Sequence, residues 1–208
     1  MQTAIFLYDK FTALDAIGPY QALSSLPGYE TVFVAERSGP VLDDNRMLSL
    51  VARKSIDEVT RPDILVVVGS GQPDLGNDTV SDWLRAVDAH TTWTASVCTG
   101  SLILGAAGLL KGRRATTHWL AMDKLERFGA EPVDERVVFD GKYVTGAGVS
   151  AGIDMGLSLV GRVAGDTHAQ AAQLMMEYDP RPPYDAGSPD KAPAALVERF
   201  RGAGLALE

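Results

Sequence analysis

Only one cysteine, Cys98, occurs in the 208 residues. A single thiol excludes an intrachain disulfide and leaves no pair of cysteines for a zinc site. Basic residues are outnumbered, 19 Lys and Arg against 27 Asp and Glu, for a net charge of −8. Nucleic acid and anionic membrane are therefore poor partners, because phosphate binding needs a basic surface. No apolar run approaches the roughly 20 residues of a membrane span, and Asp9 and Lys10 interrupt the first apolar stretch too early for a secretory leader. No Gly-Lys-Ser/Thr follows the glycines of Gly69-Ser70-Gly71, so this is not a phosphate loop. There is no internal repeat. These absences leave a small-molecule protein of the cytoplasm, without nucleic acid or membrane as partner.

The remaining pattern is that of one α/β domain over residues 1–208, a length that buries a single large core. Short apolar segments at Ala4–Tyr8, Thr31–Ala35, Ile64–Val68 and Trp93–Val97 predict strands, with a hairpin-like or extended stretch near Met47–Ala52. Val133–Phe139 and Tyr143–Thr145 predict strands around an Asp140-Gly141 turn. Between the strands, helices are predicted over Asp15–Ser25, Val80–Ala89, Leu102–Leu110, Trp119–Phe128 and Ser150–Ala164. Such alternation implies a mostly parallel sheet with helices on both faces, and sites in such sheets lie beyond the carboxyl ends of the strands. From about residue 179 the chain becomes proline-rich, and the four prolines in Tyr178–Pro189 exclude a helix there.

Cys98 stands where a predicted strand turns into a helix. At such an elbow the side chain is held at the end of the sheet, facing unpaired helix N–H groups that favour thiolate, the nucleophilic form. The elbow therefore predicts a thiol of lowered pKa; the plainer reading is a small buried hydrophobe. Asp15 opens the first helix beside Leu14, Ala16 and Ile17. It is either a helix cap or a carboxyl whose apolar surroundings raise its pKa and suit it to acid/base work. The loop Gly69-Ser70-Gly71-Gln72 follows the clearest strand, so its N–H groups are candidates for binding substrate or a developing negative charge. Thr99 reads as a cap, or as a hydroxyl bonding ligand or Asp15. His118, twenty residues past Cys98 and placed at the end of a short strand, reads as a site residue or as a histidine bonded to backbone.

Taken together, Thr12-Ala13-Leu14-Asp15-Ala16-Ile17-Gly18-Pro19-Tyr20, Ser96-Val97-Cys98-Thr99-Gly100-Ser101, Ala115-Thr116-Thr117-His118-Trp119, Gly148-Val149-Ser150-Ala151-Gly152-Ile153-Asp154 and the Tyr178–Pro189 tail resemble the ThiJ/PfpI superfamily along essentially the whole chain. The resemblance implies a class I glutamine amidotransferase-like, flavodoxin-like fold. Aspartate at position 15 with Cys-Thr-Gly at the elbow is similar to the isonitrile hydratase branch and to sensor domains of AraC-type regulators. For the hydratases it implies a nucleophile at Cys98, a catalytic aspartate at Asp15, a supporting Thr99, and a homodimer, with no metal or organic cofactor. Two departures stand out. The superfamily loop usually reads Pro-Gly-Gly where this chain has Gly69-Ser70-Gly71, and Gly146-Ala147-Gly148 offers no base where the amidotransferases carry a histidine.

The expected activity is hydration of an isonitrile to an N-substituted formamide, with Cys98 attacking, Asp15 moving protons, Gly71 and Thr99 supplying N–H groups, and Ser70, Gln72 and His118 near the substrate. A carbonyl enzyme of glyoxalase or deglycase type and a ligand- or redox-sensing module are the alternatives.

Overall fold

The structure, a computed structural model, describes residues 1–75 and 77–204. In chain order its elements are β1 (Gln2–Phe6), α1 (Ala13–Leu23), β2 (Glu30–Ala35), β3 (Gly39–Leu42), β4 (Ser49–Ala52), β5 (Lys54–Ser55), β6 (Ile64–Val67), α2 (Asp78–Asp88), β7 (Trp93–Val97) and α3 (Gly100–Ala106). They continue with β8 (Arg114–Ala115), α4 (Met122–Leu125), β9 (Glu131–Pro132), β10 (Val137–Asp140), β11 (Tyr143–Gly146), α5 (Ala151–Ala164), α6 (Asp166–Met175) and α7 (Ala194–Ala203). Seven strands form one sheet in the order β10-β11-β7-β6-β1-β2-β5. All neighbours are parallel except β10, which returns antiparallel to β11 through the Asp140-Gly141 turn.

Period-two alternation divides the central strands between two apolar layers. Ala4 and Phe6 of β1 and Leu65 and Val67 of β6 face one layer, closed by Trp83 and Leu84 of α2 and Leu102 and Leu104 of α3. Ile5, Ile64, Val66, Ala95 and Val97 face the other, closed by Ala16 and Leu23 of α1 and by Met155, Leu159 and Val160 of α5. The α1–α5 contact is close because both helices carry small residues there; a Cβ on Gly156 would lie 2.9 Å from the Ala22 methyl.

Several expectations are corrected. The helix after the elbow stops at Ala106, because Gly108 takes a positive φ of 82° and turns the chain. Trp119–Phe128 is broken into two 3₁₀ turns around a four-residue α4, and Val133–Phe139 is extended in the sheet only from Val137. The short strand before His118 is Arg114–Ala115; it pairs with β9 outside the main sheet and ends three residues before the histidine. The stretch near Met47–Ala52 is hairpin-like as expected, its strand β4 pairing with β3 in a separate two-stranded hairpin. The helices α6 and α7 lie beyond the elements predicted. The proline-rich tail is coil, and no helix among the described residues is long and apolar enough to cross a membrane.

Candidate active site

Three neighbouring strand ends meet at the carboxyl edge of the sheet. The loop after β1 is joined to the loop after β6 by Thr12 N–H on Gly69 O at 2.8 Å and by Ser70 Oγ on Lys10 O at 2.7 Å. Cys98 follows β7 at the same edge, with a positive φ of 57° that is costly for a residue carrying a Cβ. The elbow is held on all sides. Cys98 N–H reaches Gly146 O and Ala147 O, its carbonyl accepts Thr117 Oγ1 at 2.9 Å and Ser101 Oγ at 3.1 Å, and a Cβ on Gly100 would lie 2.2 Å from Val67 O.

Asp15 lies in the first turn of α1 with none of its surface exposed. It does not cap the helix. Its Oδ2 accepts the Gly69 N–H at 3.0 Å, and its buried Oδ1 has no conventional hydrogen-bond partner. The Cys98 thiol is the side-chain neighbour placed to hydrogen-bond this carboxyl. Burial pushes the Asp15 carboxyl up from its ordinary value of 3.8 to about 7, against the Gly69 N–H and the thiol, which favour the carboxylate.

The thiol corrects an expectation. Cys98 is 4% exposed, and burial, followed by the nearby Asp15 charge, moves its pKa well above that of a free cysteine. N–H groups of Val149 and Thr99 point at the sulfur and work in the opposite direction, but they do not offset the loss of water. With only seven residues, α3 supplies too little of a dipole to reverse this. At neutral pH the pair is a thiol beside a carboxyl that is about half ionised. The carboxyl is already in contact with the thiol.

Thr99 neither caps α3 nor bonds Asp15. Its hydroxyl donates to Ser70 O at 2.7 Å and accepts the Ser70 N–H at 2.8 Å, clamping the loop after β6 to the elbow. The loop is fastened further by the Gln72 N–H on Ser70 Oγ at 3.1 Å. Gly69 and Ser70 N–H groups are thus engaged with Asp15 and Thr99, while Gly71 and Gln72 are exposed. A Cβ on Gly69 would come within 2.6 Å of Thr99 N and 2.8 Å of Asp15 Oδ2, so glycine alone fits here.

His118 does not join the Asp15–Cys98 pair by any hydrogen bond. Its Nδ1 accepts the Leu120 N–H at 3.3 Å, its ring packs on Gly148, and burial lowers its pKa. It lines a cleft of about 380 Å³ with Thr117, Ala147 and Val149, which hold the Cys98 carbonyl, N–H and sulfur respectively. Two neighbours of the pair were missed by sequence reasoning. Val149 contributes a backbone N–H, from a residue with φ +32°, which leaves no side-chain signal. Tyr8, two residues beyond β1, buries a hydroxyl that has no hydrogen-bond partner, and burial followed by the nearby Asp15 and Cys98 charges pushes its pKa up. Among the described residues no group of three or more His, Cys, Asp or Glu side chains is arranged for a metal ion.

The DJ-1/PfpI family profile matches residues 1–162, which span every element of this edge. The chain belongs to the DJ-1/PfpI family. Within the DJ-1/PfpI family, isonitrile hydratase of Pseudomonas putida is 41% identical over 203 residues, 97% of this chain and 89% of that protein. The crystal structure of a ThiJ/PfpI family protein from Pseudomonas syringae superposes with a TM-score of 0.93 at 39% identity, covering 97% of this chain and 85% of that one. The HTH-type transcriptional regulator CdhR of Pseudomonas aeruginosa is 35% identical over 61% of this chain but only 38% of its own length. The expected fold and family are therefore those of the molecule.

Proposed function

We propose that this protein is an isonitrile hydratase, converting R–N≡C and water to R–NH–CHO. The observation carrying the reading is the buried Asp15 carboxyl, brought to a pKa of about 7 and set against the thiol of Cys98. Similarity to the P. putida isonitrile hydratase along nearly the full chain supports it. An isonitrile carbon accepts a nucleophile and a proton at the same atom, so the reaction needs one nucleophile and one group that both takes and gives a proton near neutrality.

The sulfur of Cys98 bonds to the terminal carbon as Asp15 takes the thiol proton and returns it to that carbon. The product of this step is the thioimidate R–N=CH–S. Water then adds to the same carbon, its second proton passing through Asp15 to nitrogen, to give R–NH–CH(OH)–S. The C–S bond breaks as the hydroxyl becomes a carbonyl, and its proton returns through Asp15 to sulfur. Formamide leaves and the thiol is restored. The Val149 and Thr99 N–H groups oppose the charge that gathers on sulfur whenever the C–S bond is partly formed. Thr99 and Gly69 act indirectly, holding the loop and the carboxyl in register.

The reading includes a homodimer working in the cytoplasm on a small-molecule substrate. Light scattering is expected to give twice the monomer mass of 22.2 kDa, and a monomer overturns that part alone. The activity itself is tested by adding alkyl and aryl isonitriles to the purified protein and following formamide by absorbance or mass spectrometry. Turnover lost in Cys98→Ala supports the reading. No turnover across the panel removes it; binding without turnover would move the protein toward the sensing role suggested by the match to CdhR, and lactate formed from methylglyoxal toward a carbonyl enzyme.

A further inference from the structure

Tyr8 stands where the carboxyl edge of the sheet passes from one apolar layer to the other. Its ring stacks on Phe6 with 6.2 Å between centroids, and it packs against both layers, the one behind Phe6 and the one that includes Cys98. The residue lines a cavity of about 430 Å³ over the ends of β1 and β2, whose walls also carry Asp9, Glu36, Arg37 and Asp74. Its hydroxyl is turned away from that space: it is sealed from solvent, has no hydrogen-bond partner and lies within electrostatic reach of Asp15 and Cys98. The backbone keeps it there. Phe11 N–H closes a turn on Tyr8 O at 3.2 Å, and the same loop is tied through Thr12 N–H and Ser70 Oγ to the strand end whose Gly69 N–H holds Asp15 Oδ2. The other carboxyl oxygen, Oδ1, is likewise sealed and lacks a conventional partner. A buried hydroxyl left unpaired is costly, and buried water is what characteristically satisfies such atoms.

Water is the second reactant of a hydration. The first half of the reaction needs only a sulfur and one proton, which Cys98 and Asp15 supply. The second half needs a water aimed at the carbon of R–N=CH–S, and a carboxylate alone fixes just one of that water's hydrogens. A donor to one of its lone pairs fixes the rest and leaves the other pair for the carbon. The phenol suits this task, because burial keeps its proton on at neutral pH, so it donates and does not compete for the water's own proton. Resting on the hydratase reading, we infer that Tyr8 is a positioning residue for the second half of the reaction, its hydroxyl and Asp15 Oδ1 together seating the water that attacks the thioimidate. The water oxygen bonds to carbon as one of its protons passes to Asp15. A proton passes from Asp15 to nitrogen, where the C=N π pair becomes an N–H bond. The phenol keeps its proton throughout.

The test compares wild type and Tyr8→Phe on n-butyl isonitrile, following formamide at steady state and the Cys98 adduct by quenched flow and intact mass. The adduct adds the full mass of the isonitrile. Tyr8→Phe removes the hydroxyl and keeps the ring on Phe6, and a melting curve establishes that it is folded. The variant is expected to form the adduct within about twofold of the wild-type rate and to hydrolyse it about tenfold more slowly, the worth of one hydrogen bond. Adduct then accumulates, kcat and KM fall together, and kcat/KM, which reports adduct formation, stays nearly constant. Equal losses in both rates, a loss confined to formation, or no change in either overturns the water site and leaves the hydratase reading standing. A pH midpoint that moves alike for both steps, with their ratio kept, makes Tyr8 a tuner of the Asp15 charge and overturns the water site as well. A wild type that gives neither adduct nor formamide overturns both.

Discussion

Replacing Asp15 by Asn separates the cost of this carboxyl from its use. A rise from 3.8 to about 7 is three powers of ten in proton affinity, or about 4 kcal/mol between the folded and unfolded chain. The sign follows from which state holds the proton. Between pH 4 and 7 the folded protein binds more protons at this site than the unfolded chain, so the wild type loses stability as pH rises through that window and has lost the full amount above it. Asparagine keeps an oxygen for the Gly69 N–H but places an NH₂ where Oδ1 now lacks a conventional partner, a cost of about 1–3 kcal/mol. The balance favours the variant by about 2 kcal/mol at pH 8.5, or roughly 4–8 °C in Tm for a domain of this size. At pH 4.5, where the wild-type carboxyl is neutral, the order reverses. Turnover of an isonitrile should fall by about 10²- to 10⁴-fold, the usual contribution of a general acid/base. Thermal melts of both proteins at the two pH values, with kcat/KM at pH 7, check the reasoning. A difference in Tm that does not change with pH refutes the burial argument, and near wild-type turnover in a folded variant removes Asp15 from the mechanism.

The remaining predictions are smaller. Alkylation of Cys98 by iodoacetamide should have its pH midpoint above the value of about 8.5 for a free cysteine, and Asp15→Asn should lower it by removing a neighbouring charge; a midpoint below 8.5 in the wild type restores the preformed thiolate. Thr99→Val, which removes both hydrogen bonds to Ser70, should reduce kcat by about tenfold, with Thr99→Ser recovering most of it; equal effects of the two variants would deny the clamp. Asp88 lies at the opposite end of the sheet, where it accepts from Thr94 Oγ1 at 2.6 Å and Tyr143 Oη at 3.0 Å and pairs with Lys142. Asp88→Ala leaves these donors unmatched and should cost about 2–4 kcal/mol in urea unfolding without changing the Cys98 alkylation profile.

What was legible in the chain was the part written in side-chain periodicity. The β-branched run at Ile64–Val67 and the strand into Cys98 stand in the centre of the sheet, and the apolar company of Asp15 correctly foretold a buried carboxyl. The surroundings of the thiol were not legible. A helix start after a cysteine suggests a thiolate, but how much water the elbow excludes depends on Gly69, Val149 and Thr117, which arrive from three distant segments. Thr99 could be assigned to a cap or a ligand, and only the fold shows that Ser70 offers it both a donor and an acceptor. The helices α6 and α7 carry exposed Leu174, Met175, Leu196 and Phe200, which blur the one-sided stripe by which a surface helix is usually recognised.

Gly69 bears directly on the proton affinity of Asp15. Where the superfamily resemblance leads one to expect proline, this chain has a residue that owns an N–H, and that N–H is spent on the Asp15 carboxylate. A proline ring would stiffen the loop but offer the carboxyl no proton donor, and it would find no room beside Thr99. The exchange trades rigidity for a lower proton affinity, drawing a deeply buried acid back toward neutrality. The proton affinity of Asp15 is thus set in part by a main-chain atom one strand away, at a position where a comparison of ionisable side chains would register no change at all.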